Sequence, residues 1–184
     1  MSMTAAPGDI FMWSNADPRE SLLFNNSGPV YRFQTNVSSN GQSTTTLWRA
    51  LRSNKEERVA KFEWSQSGGL GRVVIGKSTL PMQDLVRRET HDIATRDFYA
   101  ANGAKYRWQP NAHGPETLLY DDTGAIVAFY RPVAPVRYQS PPVEVHGELH
   151  LFRTAGRGTV THPPVMDVVA ISCMLYRFSQ KYGL

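Results

Sequence analysis

The stretch VMDVVAISCMLYRFSQK, residues 165–181, decides how this 184-residue chain folds. Eleven of its 17 residues are apolar, and on a helix they would cover nearly every side. A helix of that kind must be buried all round or sit in a membrane. Only nine residues separate Asp167 from Arg177, whereas crossing a bilayer takes about 20 predominantly apolar residues. The stretch therefore predicts a buried core helix at about residues 164–181.

The rest of the chain is typical of short β-strands joined by turns. The run DDTG at residues 121–124 marks a hairpin, and no linker is long enough to divide the chain. We therefore predict a mainly β protein whose sheet wraps the helix. Its expected organisation is a partly ordered arm at residues 1–20 and a single domain at residues 21–184. The stretches that alternate apolar with polar side chains, as half-buried strands do, are residues 30–35, 59–64 and 143–152.

Composition limits the class of partner only loosely. Twenty basic and 16 acidic residues give a net charge of +4, which is compatible with an anionic partner without requiring one. The lone cysteine, Cys173, falls inside the apolar stretch, so we expect a core residue and not a nucleophile. Residues 1–18 lack the basic and apolar regions of a secretory signal. We expect a cytoplasmic protein that is not transmembrane.

The order of several motifs resembles a known superfamily. They are VAKFEW (59–64), RVVIGKSTLPMQDLV (72–86), FYAANGAKYRWQ (98–109), LLYDDTGAIVAFYRP (118–132) and the helix itself. Over about residues 20–182 the chain is similar to the tubby C-terminal-like superfamily of tubby, phospholipid-scramblase and LURP-one-related proteins. Within it, the motif order most resembles an uncharacterised fungal domain family of unknown function.

This resemblance implies a closed antiparallel β-barrel of short strands around a buried hydrophobic C-terminal α-helix. It also implies binding of phosphoinositides or other anionic lipids, in the manner of tubby proteins, and stress or defence roles, in the manner of LURP-one proteins. The motifs that carry the resemblance are structural, and none of them is catalytic.

One strand carries the best candidates for chemistry. Its alternate residues point to one face, about 7 Å apart, where they would bind zinc or act as acid and base. A single strand cannot close a tetrahedral site, so another element would have to add a ligand, and we predict no metal. The alternative is a solvent-facing strand whose apolar residues face the helix. The candidate residues are Glu144, His146, Glu148 and His150.

Basic residues in several turns are candidates for an anion-binding patch, if those turns converge at one end of the barrel. The alternative is a set of solvated charges balanced by Glu56, Glu57 and Glu89. The candidate residues are Arg49, Arg52 and Lys55 in one turn, Arg87 and Arg88 in a second, and Arg153 and Arg157 after the last strand.

Two hypotheses about function follow. The first is a cytoplasmic, non-enzymatic binding module, peripheral at a membrane, that recognises anionic lipid headgroups or a protein partner. The second is a small-pocket enzyme of cyclase or isomerase type, or a metabolite carrier, in fungal specialised metabolism or defence. We expect no cofactor and no nucleic acid, because no recognition helix or RNA-binding signature is present. A deep pocket with converging ionisable groups would favour the second hypothesis.

Overall fold

A computed structural model describes residues 8–89, 91–139, 142–155 and 160–184. These residues form two 3₁₀ turns, Arg52–Asn54 and Met82–Leu85, and one helix, α1, at Val165–Tyr182. The strands are β1 (Gly8–Trp13), β2 (Ser21–Asn25), β3 (Gly28–Val37), β4 (Ser43–Ala50), β5 (Glu56–Glu63), β6 (Arg72–Ile75), β7 (Ser78–Pro81), β8 (Arg96–Tyr99), β9 (Lys105–Pro110), β10 (Thr117–Tyr120), β11 (Ile126–Gln139) and β12 (Pro142–Phe152).

All twelve strands belong to one antiparallel sheet, in the order β7-β6-β5-β4-β3-β2-β1-β12-β11-β10-β9-β8. Neighbours in the sheet are consecutive in sequence at every pair except β1 and β12, so two meanders meet at that seam. Residues 8–13, which belong to the segment expected to be partly ordered, form β1 in the middle of the sheet. Because successive antiparallel strands reverse direction, the turns alternate between the two ends of the strands.

The sheet curves around α1. Fourteen of the 18 helix residues are buried, and side chains from distant strands touch the helix. The ring of Trp64, after β5, lies 4.4 Å from that of Phe178, and Trp108 on β9 donates to Ser172 Oγ at 2.9 Å. A flat twelve-stranded sheet would be about 50 Å wide, at roughly 4.8 Å per strand, and one helix could not reach both strands. The mainly β fold with a buried C-terminal helix is confirmed.

The expected closure of the barrel by strand pairing is not confirmed. The edge strands β7 and β8 form no ladder with each other in the described part of the chain. Between them lies the Met82–Leu85 turn, whose Met82 and Leu85 are buried in the core. The side chain of Arg96 ties this edge to the helix end by donating to backbone oxygens, which are those of Val86, Ile93 and Leu184.

Candidate functional site

The outer face of β12 carries its four candidate residues, Glu144, His146, Glu148 and His150. The alternate residues Val145, Leu149 and Leu151 are buried in the core, as expected from the period of two. Position 147 is glycine, and an added Cβ there would lie 2.6 Å from Tyr130 Oη. The alternation therefore placed these four residues on the face opposite the core, although His150 is itself only 5% exposed because its ring packs on Phe129.

Glu148 lies between two partners on that outer face. Arg131 Nη2 donates to Glu148 Oε2 at 2.7 Å, and His150 Nε2 lies 2.8 Å from the same oxygen. Burial acts to raise the pKa of Glu148, but Arg131 and His150 outweigh it and hold the pKa below its usual range. The ring of His150 stacks on Phe129 at 4.2 Å, and its Nδ1 is buried without a partner among the described residues.

The other two candidates form a second, separate pair, with His146 Nε2 3.2 Å from Glu144 Oε1. Within residues 8–89, 91–139, 142–155 and 160–184, no three His, Cys, Asp or Glu side chains lie close enough to share a metal ion. The strand therefore presents two neighbouring acid–histidine pairs. The Glu148 pair is also held by Arg131.

Arg49, the first basic candidate, points into the protein and is held by two carboxylates. Its Nη1 donates to Asp167 Oδ2 at 2.6 Å and its Nη2 to Glu57 Oε2 at 2.9 Å. Tyr31 donates to the other oxygen of Asp167 at 2.5 Å, and burial and the charge of Asp167 raise the pKa of Tyr31. The only sequence signal for this cluster was an aspartate inside an apolar helix. Arg49 is therefore part of the interior near the N-terminal end of α1.

The basic candidates do not all meet at one end of α1. Arg88 lies close enough to Arg96 for its charge to act on that guanidinium, and Arg96 bonds the carbonyl of Leu184 beyond the helix. Asp167, which binds Arg49, is 17 residues earlier, about 25 Å away along the helix axis. Arg49 on β4 and the turn with Arg88 are therefore near opposite ends of α1.

The remaining basic candidates differ in their ion pairs. Arg87 pairs with Asp84 at 3.2 Å, and Arg153 pairs with Asp9 at 2.7 Å. Arg157 lies outside the described residues. Arg52 and Lys55 are exposed on the hairpin between β4 and β5, and neither has a carboxylate partner among the described residues.

Leu51, Arg52, Lys55 and Arg58, all exposed on that hairpin, are called the basic turn below. The two acidic residues on the same hairpin already form ion pairs. Glu56 pairs with Arg32 at 2.5 Å, and Glu57 pairs with Arg49. Arg58, the next basic residue of the same stretch, also lacks a carboxylate partner in the described part of the chain. The basic turn therefore presents to solvent three cations without an ion-pair partner in the described part of the chain.

A second buried ionic cluster surrounds Asp97 on β8, which is 1% exposed. Arg107 binds both its carboxylate oxygens, at 2.7 and 3.0 Å, and Lys105 lies 3.3 Å away and also binds Glu89. Burial acts to raise the pKa of Asp97, but the hydrogen bonds from its partners outweigh burial and lower it. Sequence reasoning missed this cluster because it depends on the register of β8 against β9.

Cys173 is buried on α1, and burial raises the pKa of its thiol to about 12. A thiol that is buried and protonated at neutral pH is a poor nucleophile. The described grooves lie at the surface and not in the interior, which α1 fills. They include one of about 370 Å³ beside Glu148 and one of about 280 Å³ beside the C-terminal end of α1.

The chain belongs to the Family of unknown function (DUF6593), whose sequence profile matches residues 16–177. This match spans the sheet from before β2 to near the end of α1. Neither the curated proteins nor the solved structures include a match to the chain. Among the described residues, no helix has both the length and the apolar character needed to cross a membrane.

Proposed function

We propose that the chain is a non-enzymatic binding module that recognises anionic lipid headgroups at a cytoplasmic membrane surface. The observation that carries this proposal is the basic turn, where three exposed cations have no carboxylate partner in the described part of the chain. Juxtaposed Lys and Arg residues are attracted to anionic lipid surfaces by about 1 kcal/mol each. Three of them would strengthen binding roughly 100-fold at low salt.

Apolar and aromatic side chains accompany these charges. Leu51 is 45% exposed at the tip of the hairpin, where it would enter the headgroup region. Trp48 lies on the outer face of β4 beneath the tip and is partly exposed, and Arg32 lies 5.6 Å above its ring. Tryptophan favours the boundary between membrane and water. The hairpin thus combines an apolar tip, a tryptophan ring suited to the membrane–water boundary and cations that would contact lipid headgroups.

The tubby-like closed barrel is part of the same proposal. In this barrel, the Met82–Leu85 turn would occupy the gap between β7 and β8, so that the sheet and the turn together surround α1. Burial of Met82 and Leu85 in the same core as the helix supports this arrangement. The helix then fills the interior, and ligand contacts fall on the ends and the outer face.

Sedimentation with vesicles tests the lipid-binding proposal. Vesicles of phosphatidylcholine with 20–30% phosphatidylserine or a phosphoinositide should pellet the protein, and pure phosphatidylcholine vesicles should not. The triple variant Arg52→Gln/Lys55→Gln/Arg58→Gln should bind the anionic vesicles about 100-fold more weakly at low salt. Binding by the unaltered protein should weaken steeply as salt is raised, because salt screens exposed charges.

A second triple variant, Lys77→Gln/Arg88→Gln/Arg137→Gln, is the matched control. It removes the same number of exposed cations from other surfaces, so both variants have the same net charge. The control should keep most of the affinity. Equal loss in both variants would mean that only net charge matters, and absence of binding by the unaltered protein would rule out the proposal.

Tryptophan fluorescence supplies an independent measurement. Three of the four tryptophans, Trp13, Trp64 and Trp108, are at most 3% exposed, so quenching by a soluble agent reports mainly on Trp48. Anionic vesicles should protect the fluorescence from acrylamide. Unchanged quenching at saturating lipid would contradict contact through this hairpin.

A further inference from the structure

A pocket of about 280 Å³ lies beside the C-terminal end of α1, at the opposite end of the helix from the basic turn. Its cationic residues, Arg177 and Lys181, are one helical turn apart and both line the pocket. The pocket is called the C-terminal pocket below. It is independent of the basic turn in position and in residues.

Arg177 is fixed by aromatic rings and not by a carboxylate. Its guanidinium lies 4.6 Å from the ring of Trp13 and 4.8 Å from that of Tyr130. Its Nη1 is buried and has no acceptor among the described residues, its Nη2 has a long contact of 3.5 Å to Ala16 O, and the guanidinium also interacts with the hydroxyl of Tyr130. Because Nη1 is closed to solvent, a bound anion would meet the part of the guanidinium that lines the pocket, where a charge-assisted hydrogen bond is favourable.

Nearby acids do not neutralise the pocket. Lys181 lies near the ring of Tyr182, at 5.5 Å, and has no carboxylate partner in the described part of the chain. The acid whose charge interacts with Lys181 is Asp17, and both oxygens of Asp17 are already bound by Arg19, at 3.2 and 3.1 Å. Two cations in one small pocket therefore face a single carboxylate that is already paired.

The walls of the pocket are mostly apolar. Pro18, Pro115 and Pro132 line it together with the rings of Tyr130 and Tyr176. Prolines and aromatic rings favour contact with a flat or branched hydrocarbon. The volume of about 280 Å³ is just below the usual range for ligand sites, which limits the pocket to a small ligand. Such walls suit an organic ligand better than a bare inorganic ion.

We infer that the C-terminal pocket binds a small organic carboxylate, with its charged group at Arg177 and Lys181 and its apolar body against the prolines and tyrosine rings. The ligand class is thus an aromatic or branched aliphatic acid. Arg177 is the primary contact because its planar fork matches a carboxylate, and Lys181 adds a second charge.

NMR titration of the full chain tests this inference, with phenylacetate as the probe. Amide signals of Thr117 and Gln180, at the pocket wall, should shift and saturate. The neutral analogue 2-phenylethanol and inorganic phosphate should each bind at least tenfold more weakly. Absence of saturable shifts at these residues, or equally tight binding of phosphate or of the neutral analogue, would overturn the inference.

Two variants locate the charge contacts. Arg177→Met should weaken phenylacetate binding at least tenfold, and Lys181→Met about threefold, whereas Arg72→Met on another surface should leave it unchanged. Lys181 is exposed, so the Lys181→Met variant should fold even if Arg177→Met does not. Unaltered affinity in a folded Lys181→Met or Arg177→Met protein would contradict the assignment. Phenylacetate binding should persist in the triple variant of the basic turn. The lipid-binding proposal and the carboxylate-binding inference are therefore tested independently.

Discussion

Asp167 in the first turn of α1 and Arg49 on β4 form a largely buried ion pair, with Arg49 Nη1 2.6 Å from Asp167 Oδ2. The side chain of Asp167 is 8% exposed and that of Arg49 is 20% exposed. Tyr31 binds the other oxygen of the carboxylate. The pair therefore fixes both the depth and the rotation of the helix within the sheet.

Removing the carboxylate should destabilise the protein strongly. Asp167→Ala leaves Arg49 and the hydroxyl of Tyr31 without their shared acceptor, which we expect to lower the free energy of unfolding by about 3 kcal/mol. Urea denaturation followed by circular dichroism measures the change. Glu57→Ala is the matched control, because it removes the exposed partner of Arg49 and should cost under about 1 kcal/mol. Similar losses from both variants would mean that the burial of Asp167 has no special effect.

A charge in the middle of α1 should prevent folding. Ala170 is 1% exposed and Ile171 is fully buried, so Ala170→Asp or Ile171→Lys would place an unpaired charge in the core. We expect insoluble or unfolded protein from either variant, assessed by solubility and by cooperative thermal unfolding. Gln180→Lys, on the exposed last turn, should behave like the unaltered protein. Soluble, cooperatively folded protein from either core variant would contradict central burial of the helix.

The Asp97 cluster should make stability depend on pH in the acid range. The folded-state pKa of Asp97 is lowered from its usual value of 3.8, so its contribution is complete above about pH 4 and is lost as pH falls through the lower folded-state value. Asp97→Asn should therefore flatten the fall in unfolding free energy below about pH 4. Denaturation at a series of pH values measures this slope. Lys77→Gln, at an exposed position, should leave it unchanged, and an unaltered slope in Asp97→Asn would contradict the prediction.

Gly147 should be intolerant of any side chain. An alanine Cβ there would lie 2.6 Å from Tyr130 Oη and 2.7 Å from Tyr130 Cε2, so the tyrosine ring would have to move. We expect Gly147→Ala to lower the free energy of unfolding by about 1–3 kcal/mol, as overpacking does. Adding Tyr130→Leu should recover part of the loss.

The matched control for Gly147 is Gly69→Ala, where the added Cβ would meet only Ser67 Oγ at 3.9 Å. That change should alter the free energy of unfolding by about 0.5 kcal/mol or less. A stable Gly147→Ala protein, or no recovery in the double variant, would show that the tyrosine ring is not the obstacle.

Local hydrophobic patterns in the sequence predicted the elements that are buried on one face, such as β12, or on all sides, such as α1. The helix was expected at 164–181 and is found at Val165–Tyr182, because an all-round apolar run of that length has few other folded solutions. Alternation predicted the correct faces of β12. The length of β11 was not predicted, because this strand contains Pro132 and Pro135 and continues to Gln139 with a register shift between Pro132 and Val136.

Relationships between distant residues could not be predicted in the same way. Whether Arg49 faces solvent or Asp167 depends on the pairing of β3 with β4 and on the position of the helix, and neither follows from local sequence. The C-terminal pocket was missed for the same reason, since Trp13 and Tyr130 meet at Arg177 only after the sheet has curved. The basic turn was partly predicted because its cations are adjacent in sequence.

The seam between β1 and β12 has a consequence for how the chain is made. Residues 8–13 can pair with β2 early in synthesis, but their other partner, residues 142–152, is made much later, and the helix that supplies the core follows later still. Until then each meander has an unpaired strand edge and an exposed apolar face, which favours aggregation. We expect the two meanders to remain dependent on chaperones during synthesis, with native structure forming only after α1 has emerged.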